Sequence, residues 1–261
     1  MQPEQEKRYW QNWDNGEASR KIDAYWIQSE NPWRETLVRQ LKRNFKPGDG
    51  IFEVGCGSGL IFHKMREHGL VDAKSYQGGD ISQEMLKLAR GRTPDVNFRT
   101  TDIFNIDMLD ASQANVINIH VLQHLPGYEQ PVKELMRIAR DKLYIACWFH
   151  PGMEDQVHFS DPSENWDKQA FHNNTYSMPR FLAFLFANAP RPIVDLRMHH
   201  FGDTNYGITV LFREEEESAR PVGRSQESAI QILSASPTFA SVPAPLRENL
   251  AALHSILSRM A

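Results

Sequence analysis

The sequence predicts an α/β protein built on a doubly wound, mostly parallel seven-stranded sheet, with a helical N-terminal lid and a terminal antiparallel hairpin strand. Three observations predict this fold class. A glycine-rich turn at 55–59 joins a β-prone run to a helical run. From there to residue 188, β-prone runs alternate with helical patterns, which is typical of a parallel sheet. Two further β-prone runs, separated by four residues, predict the hairpin.

The N-terminal segment, residues 1–46, is predicted to form the helical lid. It interleaves aromatic with charged side chains, and Pro32 stands at the start of a helix that places Trp33, Leu37 and Leu41 on one face. Aromatic side chains in such a segment either close over a ligand and exclude water or pack the helices onto the sheet. The sequence leaves both roles open.

The first strand and the first helix of the sheet domain enclose the glycine-rich turn. Residues 50–52 are short, apolar and β-prone, whereas 60–67 carries Leu60, Ile61 and Met65 at helical spacing. Three glycines at alternate positions let the main chain turn tightly and bring its amides close to a bound molecule, at the positive end of the helix. We therefore expect a polar ligand to bind at this turn.

The spacing of the glycines separates this turn from a dinucleotide site. Dinucleotide-binding turns follow G-x-G-x-x-G, with an acidic residue about 20 positions later. Here the pattern is G-x-G-x-G, and Glu53 ends the preceding strand itself. Because a carboxylate at this position repels a pyrophosphate and favours an ammonium group, we expect a zwitterionic or cationic ligand.

Two more acids follow the second and third predicted strands. Residues 74–79 run into Asp80, and Ser82 is the expected N-cap of a helix at 83–90. Residues 96–100 form the next strand and lead to Asp102. A lone Asp after a strand is more often a turn or cap residue than a ligand contact. The ordered set of three acids, each after a β-prone run, indicates a binding site at the carboxyl edge of the sheet.

The α/β alternation continues to the hairpin. Strands are predicted at 115–120 and 142–148, with a helix at 128–140 between them. After a histidine-bearing, turn-rich stretch at 149–176, a helix is predicted at 179–188 with Ser177 as its N-cap. The hairpin strands are 193–201 and 206–213, so the α/β domain is predicted to span residues 47–213.

Residues 214–261 are predicted to be an acidic linker followed by an amphipathic helix. Four consecutive glutamates begin the segment, and a Ser/Pro/Ala-rich stretch follows. The helix at 246–260 carries Leu246, Leu250, Leu253 and Leu257 on one face. This face can pack on its own domain, join two copies as a homodimer, or lack a partner, and the sequence leaves these alternatives open.

The acid and glycines at 53–59 resemble the first motif of the class I, Rossmann-like S-adenosylmethionine-dependent methyltransferases of small-molecule type, which reads acid-x-G-x-G-x-G. The resemblance covers about residues 46–213. It implies S-adenosylmethionine as the cofactor, S-adenosylhomocysteine as its product, and no metal ion. It also implies that the last strand lies between two earlier strands.

The resemblance assigns roles to the acids that follow successive strands. Asp80 resembles the residue that accepts hydrogen bonds from the ribose hydroxyls, and Asp102 the residue that accepts one from the adenine amino group. Ile81 and Ile103 are expected to enclose the adenine ring, and Tyr9 resembles the family's cofactor-capping segment. The implied cofactor-binding residues are Tyr9, Glu53, Gly55, Cys56, Gly57, Gly59, Asp80, Ile81, Asp102, Ile103 and His120.

Three histidines are candidates for a general base. A methyl acceptor that is a hydroxyl or a protonated amine must lose a proton, and histidine is the usual base near neutral pH. His120 and His124 lie in the segment that leaves the fourth strand and resembles the family's segment facing the sulfonium, and His150 follows the fifth strand. For each of them the alternative is an ordinary structural histidine, which is favoured for His124 and His150.

Composition argues against several classes of protein and site. A net charge of −4 over 261 residues disfavours a protein that binds nucleic-acid phosphates. Two cysteines, Cys56 and Cys147, are too few for a disulfide framework, and no metal-type Cys/His spacing is present. The sequence has no apolar run of membrane-spanning length and no signal-peptide pattern, so no membrane partner and a cytoplasmic location are expected.

The sequence thus predicts a methyltransferase that transfers a methyl group to an oxygen or nitrogen atom of a small-molecule or sugar-like acceptor, with a histidine as the general base. Two alternatives stay open. One is methylation of a protein or peptide, and the other is a non-catalytic scaffold that binds a nucleoside.

Overall fold

The computed structural model describes residues 11, 13–29, 32–160 and 170–212. Tyr9 and the segment 214–261, with its predicted linker and amphipathic helix, lie outside the described residues. The division into a lid at 1–46, a domain at 47–213 and a C-terminal segment therefore stays a prediction.

The described elements alternate between helix and strand over most of their length. The helices are α1 (Gly16–Gln28), α2 (Pro32–Asn44), α3 (Leu60–Glu67), α4 (Gln83–Arg92), α5 (Glu129–Ile138) and α6 (Met178–Asn188), with a 3-10 turn at Leu122–His124. The strands are β1 (Ile51–Val54), β2 (Tyr76–Asp80), β3 (Asn97–Thr100), β4 (Gln113–Ile119), β5 (Ala139–His150), β6 (Tyr176–Ser177), β7 (Ile193–Gly202) and β8 (Asn205–Phe212).

Seven of these strands form one sheet in the order β3-β2-β1-β4-β5-β8-β7. The pairs from β3 through β5 are parallel, whereas β8 is antiparallel to both β5 and β7. The predicted fold class, including the last strand between two earlier ones, is confirmed. The structure adds β6, a two-residue strand that pairs with the far end of β5 and that the sequence pattern did not predict.

Local sequence signals account for the helix boundaries. The Ser82 hydroxyl accepts a hydrogen bond from the Met85 N–H, and the Ser177 hydroxyl accepts one from the Arg180 N–H, so both predicted N-caps are confirmed. The helix predicted at 128–140 ends at Ile138, because Ala139 already pairs with Gln113 as the first residue of β5.

The core lies on both faces of the sheet. One apolar cluster joins the sheet to α5 and α6, and a second joins it to α2 and α3. The central strand β1 is buried at all four positions, as expected for a parallel strand covered on both sides. Within the described residues no helix has both the length and the apolar character needed to span a membrane.

This packing fixes the carboxyl ends of β1, β2 and β4 at one edge of the sheet. α1 contacts α4 beside that edge, and α2 packs against α3 and β7. The two N-terminal helices are thereby held next to the strand ends on which a ligand site of an open α/β sheet is built.

Candidate functional site

A cleft of about 430 Å³ opens at this edge of the sheet. Its volume lies within the range of about 300–1,000 Å³ that is usual for small-molecule sites. The described lining comes from the N-terminal helices, the glycine loop (residues 55–59) and the strand ends. The N-terminal part of the lining is Trp13, Tyr25, Trp26, Trp33 and Arg34.

The glycine loop closes one end of the cleft. Gly55, Gly57 and Gly59 all have positive φ angles, of 79°, 52° and 80°. A Cβ atom on Gly55 would lie 2.3 Å from a methyl carbon of Val121, so only glycine fits where the loop passes the end of β4. Gly55, Cys56 and Gly57 line the cleft, whereas Gly59 lies outside the described lining and is the N-cap residue of α3.

Asp80 is bound to the glycine loop and faces the same end of the cleft. Its two carboxylate oxygens accept hydrogen bonds from the N–H of Gly57 at 2.8 Å and of Ser82 at 2.9 Å. Burial raises the pKa of Asp80, and these backbone hydrogen bonds act in the opposite direction. Since each carboxylate oxygen has about two acceptor positions, both can accept one more hydrogen bond from a ligand.

Glu53 lies beneath the loop at the end of β1 and is only 1% exposed. The Tyr76 hydroxyl donates a hydrogen bond of 2.5 Å to its Oε2 atom. Burial raises the pKa of Glu53 to about 8, with a smaller contribution in the same direction from Asp80. A cation bound at this end of the cleft would therefore meet two carboxyl groups.

The third acid, Asp102, lies differently from the other two. Its neighbours Thr101 and Ile103 line the cleft, as do Ile81 and Met85 on the opposite side, but Asp102 itself is exposed and outside the described lining. Its Oδ1 atom accepts a hydrogen bond from the Phe104 N–H at 2.9 Å. The apolar pair that was expected around adenine thus lines the cleft, and the role of Asp102 stays a prediction.

His120 lies at the other end of the cleft, directly after β4. It adopts a φ of 53°, which is uncommon for a residue other than glycine and is found often at functional sites. Its Nδ1 atom is 3.1 Å from the amide nitrogen of Gln123, and the Cys147 thiol donates to the amide oxygen of the same residue. An amide nitrogen only donates, so Nδ1 of His120 accepts and the proton of the neutral ring is on Nε2.

His124 has the opposite arrangement. Its Nδ1 atom is 2.8 Å from the backbone oxygen of His172, which only accepts, so the proton of the neutral ring is on Nδ1. Nε2 then carries a lone pair. It has no hydrogen-bond partner among the described residues, and it is not closed off from the cleft that His124 lines. Burial lowers the pKa of His120 to about 3 and that of His124 to about 4, so both rings are neutral near pH 7.

His150 is not brought to the cleft. β5 continues past the edge of the sheet to pair with β6, and His150 lies opposite Ser177 there. Its Nδ1 atom accepts a hydrogen bond from the Gly152 N–H at 3.1 Å, and its Nε2 atom is buried with no partner among the described residues. Two residues earlier on β5, Trp148 lines the cleft instead.

Aromatic rings form the wall between the two ends. The rings of Trp13 and Trp26 stack with centroids 6.2 Å apart, and Trp33 contacts His120 at 4.6 Å. Trp148 lies 5.7 Å from His124. Lining residues that the sequence pattern did not predict include Trp148, Gln123, Asn205 and Arg34. For Trp148 a signal was present, because an aromatic residue near the carboxyl end of a buried strand reaches the binding edge of the sheet.

Among the residues the structure describes, no group of three or more His, Cys, Asp or Glu is arranged to hold a metal ion. Cys56 lines the cleft next to Glu53 and Asp80. Burial and these two acids raise the pKa of its thiol well above the usual value, so it is not a thiolate near pH 7. The cleft therefore offers hydrogen-bond acceptors at one end and neutral imidazoles at the other.

Comparison with known proteins agrees with this geometry. Residues 52–147 match a family model described as a methyltransferase domain. A curated protein from Mycolicibacterium smegmatis, described as a probable S-adenosylmethionine-dependent methyltransferase, is 28% identical over 116 residues. The match spans 44% of this chain and 44% of that relative, so less than half of the relative's length is covered.

Solved structures share the fold at low sequence identity. The PH0226 protein of Pyrococcus horikoshii has a TM-score of 0.55 at 17% identity, over 72% of this chain and 93% of its own. The 1,6-didemethyltoxoflavin-N1-methyltransferase of Burkholderia thailandensis, solved with 1,6-didemethyltoxoflavin and S-adenosylhomocysteine, has a TM-score of 0.51 at 16% identity, over 76% and 85%. The DhpI complex with S-adenosylhomocysteine has a TM-score of 0.54 at 15% identity, over 76% and 95%. At these identities the likeness shows the fold alone.

Proposed function

We propose that this chain, which carries a class I S-adenosylmethionine-dependent methyltransferase domain, methylates an oxygen or nitrogen atom of a small-molecule acceptor. The observation that carries the proposal is that one cleft joins the glycine loop and the carboxyl groups of Glu53 and Asp80 at one end to two neutral histidines at the other.

The residues present fit the cofactor. The two free acceptor positions of the Asp80 carboxylate suit the hydroxyl pair of a ribose, and Glu53 suits an ammonium group. Ile81 and Ile103 supply apolar surface for a purine, and Trp26 lies over Gly57. When bound, S-adenosylmethionine supplies a methyl carbon already activated by its attachment to a sulfonium.

His124 is the general base in this proposal. His124 lines the cleft and its Nε2 lone pair is unpaired within the described residues, while the His172 carbonyl holds the ring in the tautomer that leaves this lone pair available. The proton that an acceptor O–H or N–H group loses on methylation would pass to Nε2 of His124, and the ring would become an imidazolium, while the methyl–sulfur bond of the cofactor would break to leave a neutral thioether. The pKa of about 4 makes proton uptake costly, so the site favours acceptors that release the proton readily.

His120 has a different role, because its Nε2 atom carries a proton. A neutral imidazole in this tautomer donates a hydrogen bond to an oxygen or nitrogen atom of the acceptor and orients it. Gln123 holds this tautomer through Nδ1 and is itself fixed by Cys147. His150 lies outside the described lining and is not included in the proposed mechanism.

The walls of the cleft favour a small, flat acceptor. Trp13, Trp33 and Trp148 surround the two histidines and exclude water from the reacting end. Alignment of the acceptor atom with the methyl carbon there can lower the barrier by about 7–11 kcal/mol. A cleft of about 430 Å³ fits a small molecule better than a segment of a folded protein. Methylation of a peptide remains the second candidate, because the stretch at 149–160 beside β5 exposes Val157 and Phe159.

Calorimetry and turnover test the proposal separately. The protein is expected to bind S-adenosylhomocysteine and not NAD. Transfer of labelled methyl from S-adenosylmethionine is then measured with a panel of phenols, amines, glycosides and short peptides. His124→Gln is expected to lower kcat by about 100-fold or more with S-adenosylhomocysteine affinity retained. His68→Gln, whose ring pairs with Glu35 away from the cleft, is the matched control.

Three results would contradict the proposal. Binding of NAD without binding of the sulfur nucleoside would overturn the cofactor assignment. Binding of the nucleoside with no transfer to any member of the panel would favour the scaffold. Unchanged kcat in His124→Gln would remove this histidine as the base.

A further inference from the structure

Arg34 is the cationic side chain of the cleft. Of the described residues that line it, no other is a lysine or an arginine. Arg34 lies in the first turn of α2, and its guanidinium carbon lies 5.5 Å from the ring centroid of Trp33, which in turn contacts His120. The guanidinium is therefore at the reacting end of the cleft, and its charge contributes to the lowered pKa of His120.

The Arg34 side chain is anchored but not neutralised. Nη1 donates a hydrogen bond of 2.6 Å to the backbone oxygen of Trp26 near the end of α1. Within the described residues no carboxylate forms an ion pair with Arg34, although Arg92 pairs with Asp23 and Arg137 with Glu134. One hydrogen bond leaves most of the five guanidinium N–H donors unused.

This environment makes a bound anion favourable. Arg34 is partly buried, and burial lowers the pKa of its guanidinium, because a buried charge without a partner is costly. An anion that binds to the remaining N–H groups offsets this cost. The Asp80 carboxylate lies in the same cleft and repels a multiply charged phosphate, whereas a single carboxylate is less disfavoured. The planar guanidinium also matches the two oxygens of a carboxylate.

We infer that Arg34 binds the carboxylate of a ligand in this cleft. The inference rests on the proposed function and names a contact that neither the glycine motif nor the three acids supply. Two sources share the chemistry. The first is the amino-acid end of the cofactor, whose carboxylate would bind the Arg34 guanidinium. The second is a carboxylate on the methyl acceptor.

Calorimetry with matched ligands distinguishes the two sources. S-adenosylhomocysteine has the amino-acid end, and 5′-methylthioadenosine has the same nucleoside and sulfur without it. Benzoate and benzamide, titrated into the protein saturated with S-adenosylhomocysteine, differ in charge on the acceptor side. The variants are Arg34→Ala and Arg34→Lys, and Arg39→Ala is the control, because Arg39 lies exposed on the same helix in an ion pair with Glu35.

If Arg34 binds the carboxylate of the cofactor, Arg34→Ala should weaken S-adenosylhomocysteine binding by roughly 10- to 100-fold and leave 5′-methylthioadenosine binding unchanged. Arg34→Lys is expected to lose less than Arg34→Ala, since it keeps the charge. If Arg34 instead binds a carboxylate of the acceptor, Arg34→Ala should lower the affinity for benzoate and retain the affinity for both nucleosides.

Two results would overturn the inference. Equal loss of both nucleosides would mean that Arg34 only holds the lid through Trp26, and unchanged affinity for all four ligands would mean that it binds no carboxylate. Failure of the proposed function looks different, because then neither nucleoside binds the unmodified protein.

Discussion

The Ser58 hydroxyl of the glycine loop donates a hydrogen bond of 2.5 Å to Asp23 of α1, across 35 residues of sequence. Arg92 of α4 completes the contact, with Nη2 on the Asp23 carboxylate at 2.7 Å and Nη1 on the Ser58 carbonyl at 2.6 Å. Ser58 is 1% exposed and Asp23 is 7% exposed. α1 and the glycine loop are therefore joined by a buried charge-assisted network.

Removing Asp23 tests this network. Asp23→Ala leaves the Arg92 guanidinium and the Ser58 hydroxyl without their partner and is expected to cost about 3 kcal/mol of unfolding free energy. The loop loses its contact with the lid, so S-adenosylhomocysteine affinity is expected to fall as well. Urea unfolding and calorimetry measure the two effects. Glu17→Ala breaks only the exposed pair with Lys21 on the same helix and should leave both unchanged.

Asp80 and Asp102 are expected to differ in their effect on cofactor binding. Asp80→Ala removes the acceptor of two backbone N–H groups as well as the proposed acceptor of the ribose hydroxyls, and should weaken S-adenosylhomocysteine binding by about 100-fold. Asp102→Ala removes an exposed carboxylate outside the described lining and should weaken it less. Equal losses, measured by calorimetry, would mean that Asp102 reaches the ligand as the family resemblance implies.

The fold could be predicted from the sequence because its signals are local. Ser82 and Ser177 are N-caps whose hydroxyls bond within three residues, and the glycine loop is a continuous segment. The predicted start of β5, at residue 142, was wrong by three residues, because pairing with Gln113 on β4 extends the strand back to Ala139. Such pairing depends on a distant segment, which local periodicity does not report.

The site residues that could be predicted lie close to the carboxyl ends of strands. Glu53 is the next-to-last residue of β1 and Asp80 is the last residue of β2, and both line the cleft. Arg34 and Trp148 reach the cleft through tertiary packing of α2 and β5 and were missed as site residues. The tautomers of His120 and His124 depend on Gln123 and on the His172 carbonyl, and the latter lies in a different loop. The sequence therefore predicts that His120 and His124 lie near each other, but it does not predict which ring nitrogen of each carries the proton.

Glu53 is expected to couple ligand binding to proton release. Its raised pKa of about 8 means that the carboxyl group is mostly protonated near pH 7 in the free protein. An ammonium group bound beside it favours the carboxylate, so S-adenosylhomocysteine binding at pH 7 is expected to release up to one proton. Calorimetry in two buffers of different ionisation enthalpy measures this number. Glu53→Gln, and 5′-methylthioadenosine with the unmodified protein, should show no release, and equal heats in both buffers would contradict the coupling.

The raised pKa of Glu53 also makes the unfolding free energy of the free protein fall as the pH rises from about 4.5 to about 8. A folded pKa raised above the unfolded value gives a contribution that is fully present below the unfolded pKa and is lost as pH rises through about 8. The unfolding free energy of Glu53→Gln should therefore fall less between pH 6 and pH 9 than that of the unmodified protein.

The buried histidines give the opposite dependence at lower pH. The pKa values of His120 and His124 are lowered by burial to about 3 and about 4, so between these values and about 6.5 the unfolded chain binds more protons than the folded protein. Stability from these two groups is present above about pH 6.5 and is lost as the pH falls toward 4.

Urea unfolding of His124→Phe between pH 7.5 and pH 4.5 is expected to show a smaller acid-induced loss than the unmodified protein. Phe171→Leu, which removes an aromatic neighbour of His124 but no proton site, should be less stable at every pH with the original slope. An unchanged slope in His124→Phe would mean that this ring becomes protonated as readily in the folded state as in the unfolded one, and would remove the physical basis for a neutral Nε2 lone pair at the reacting end.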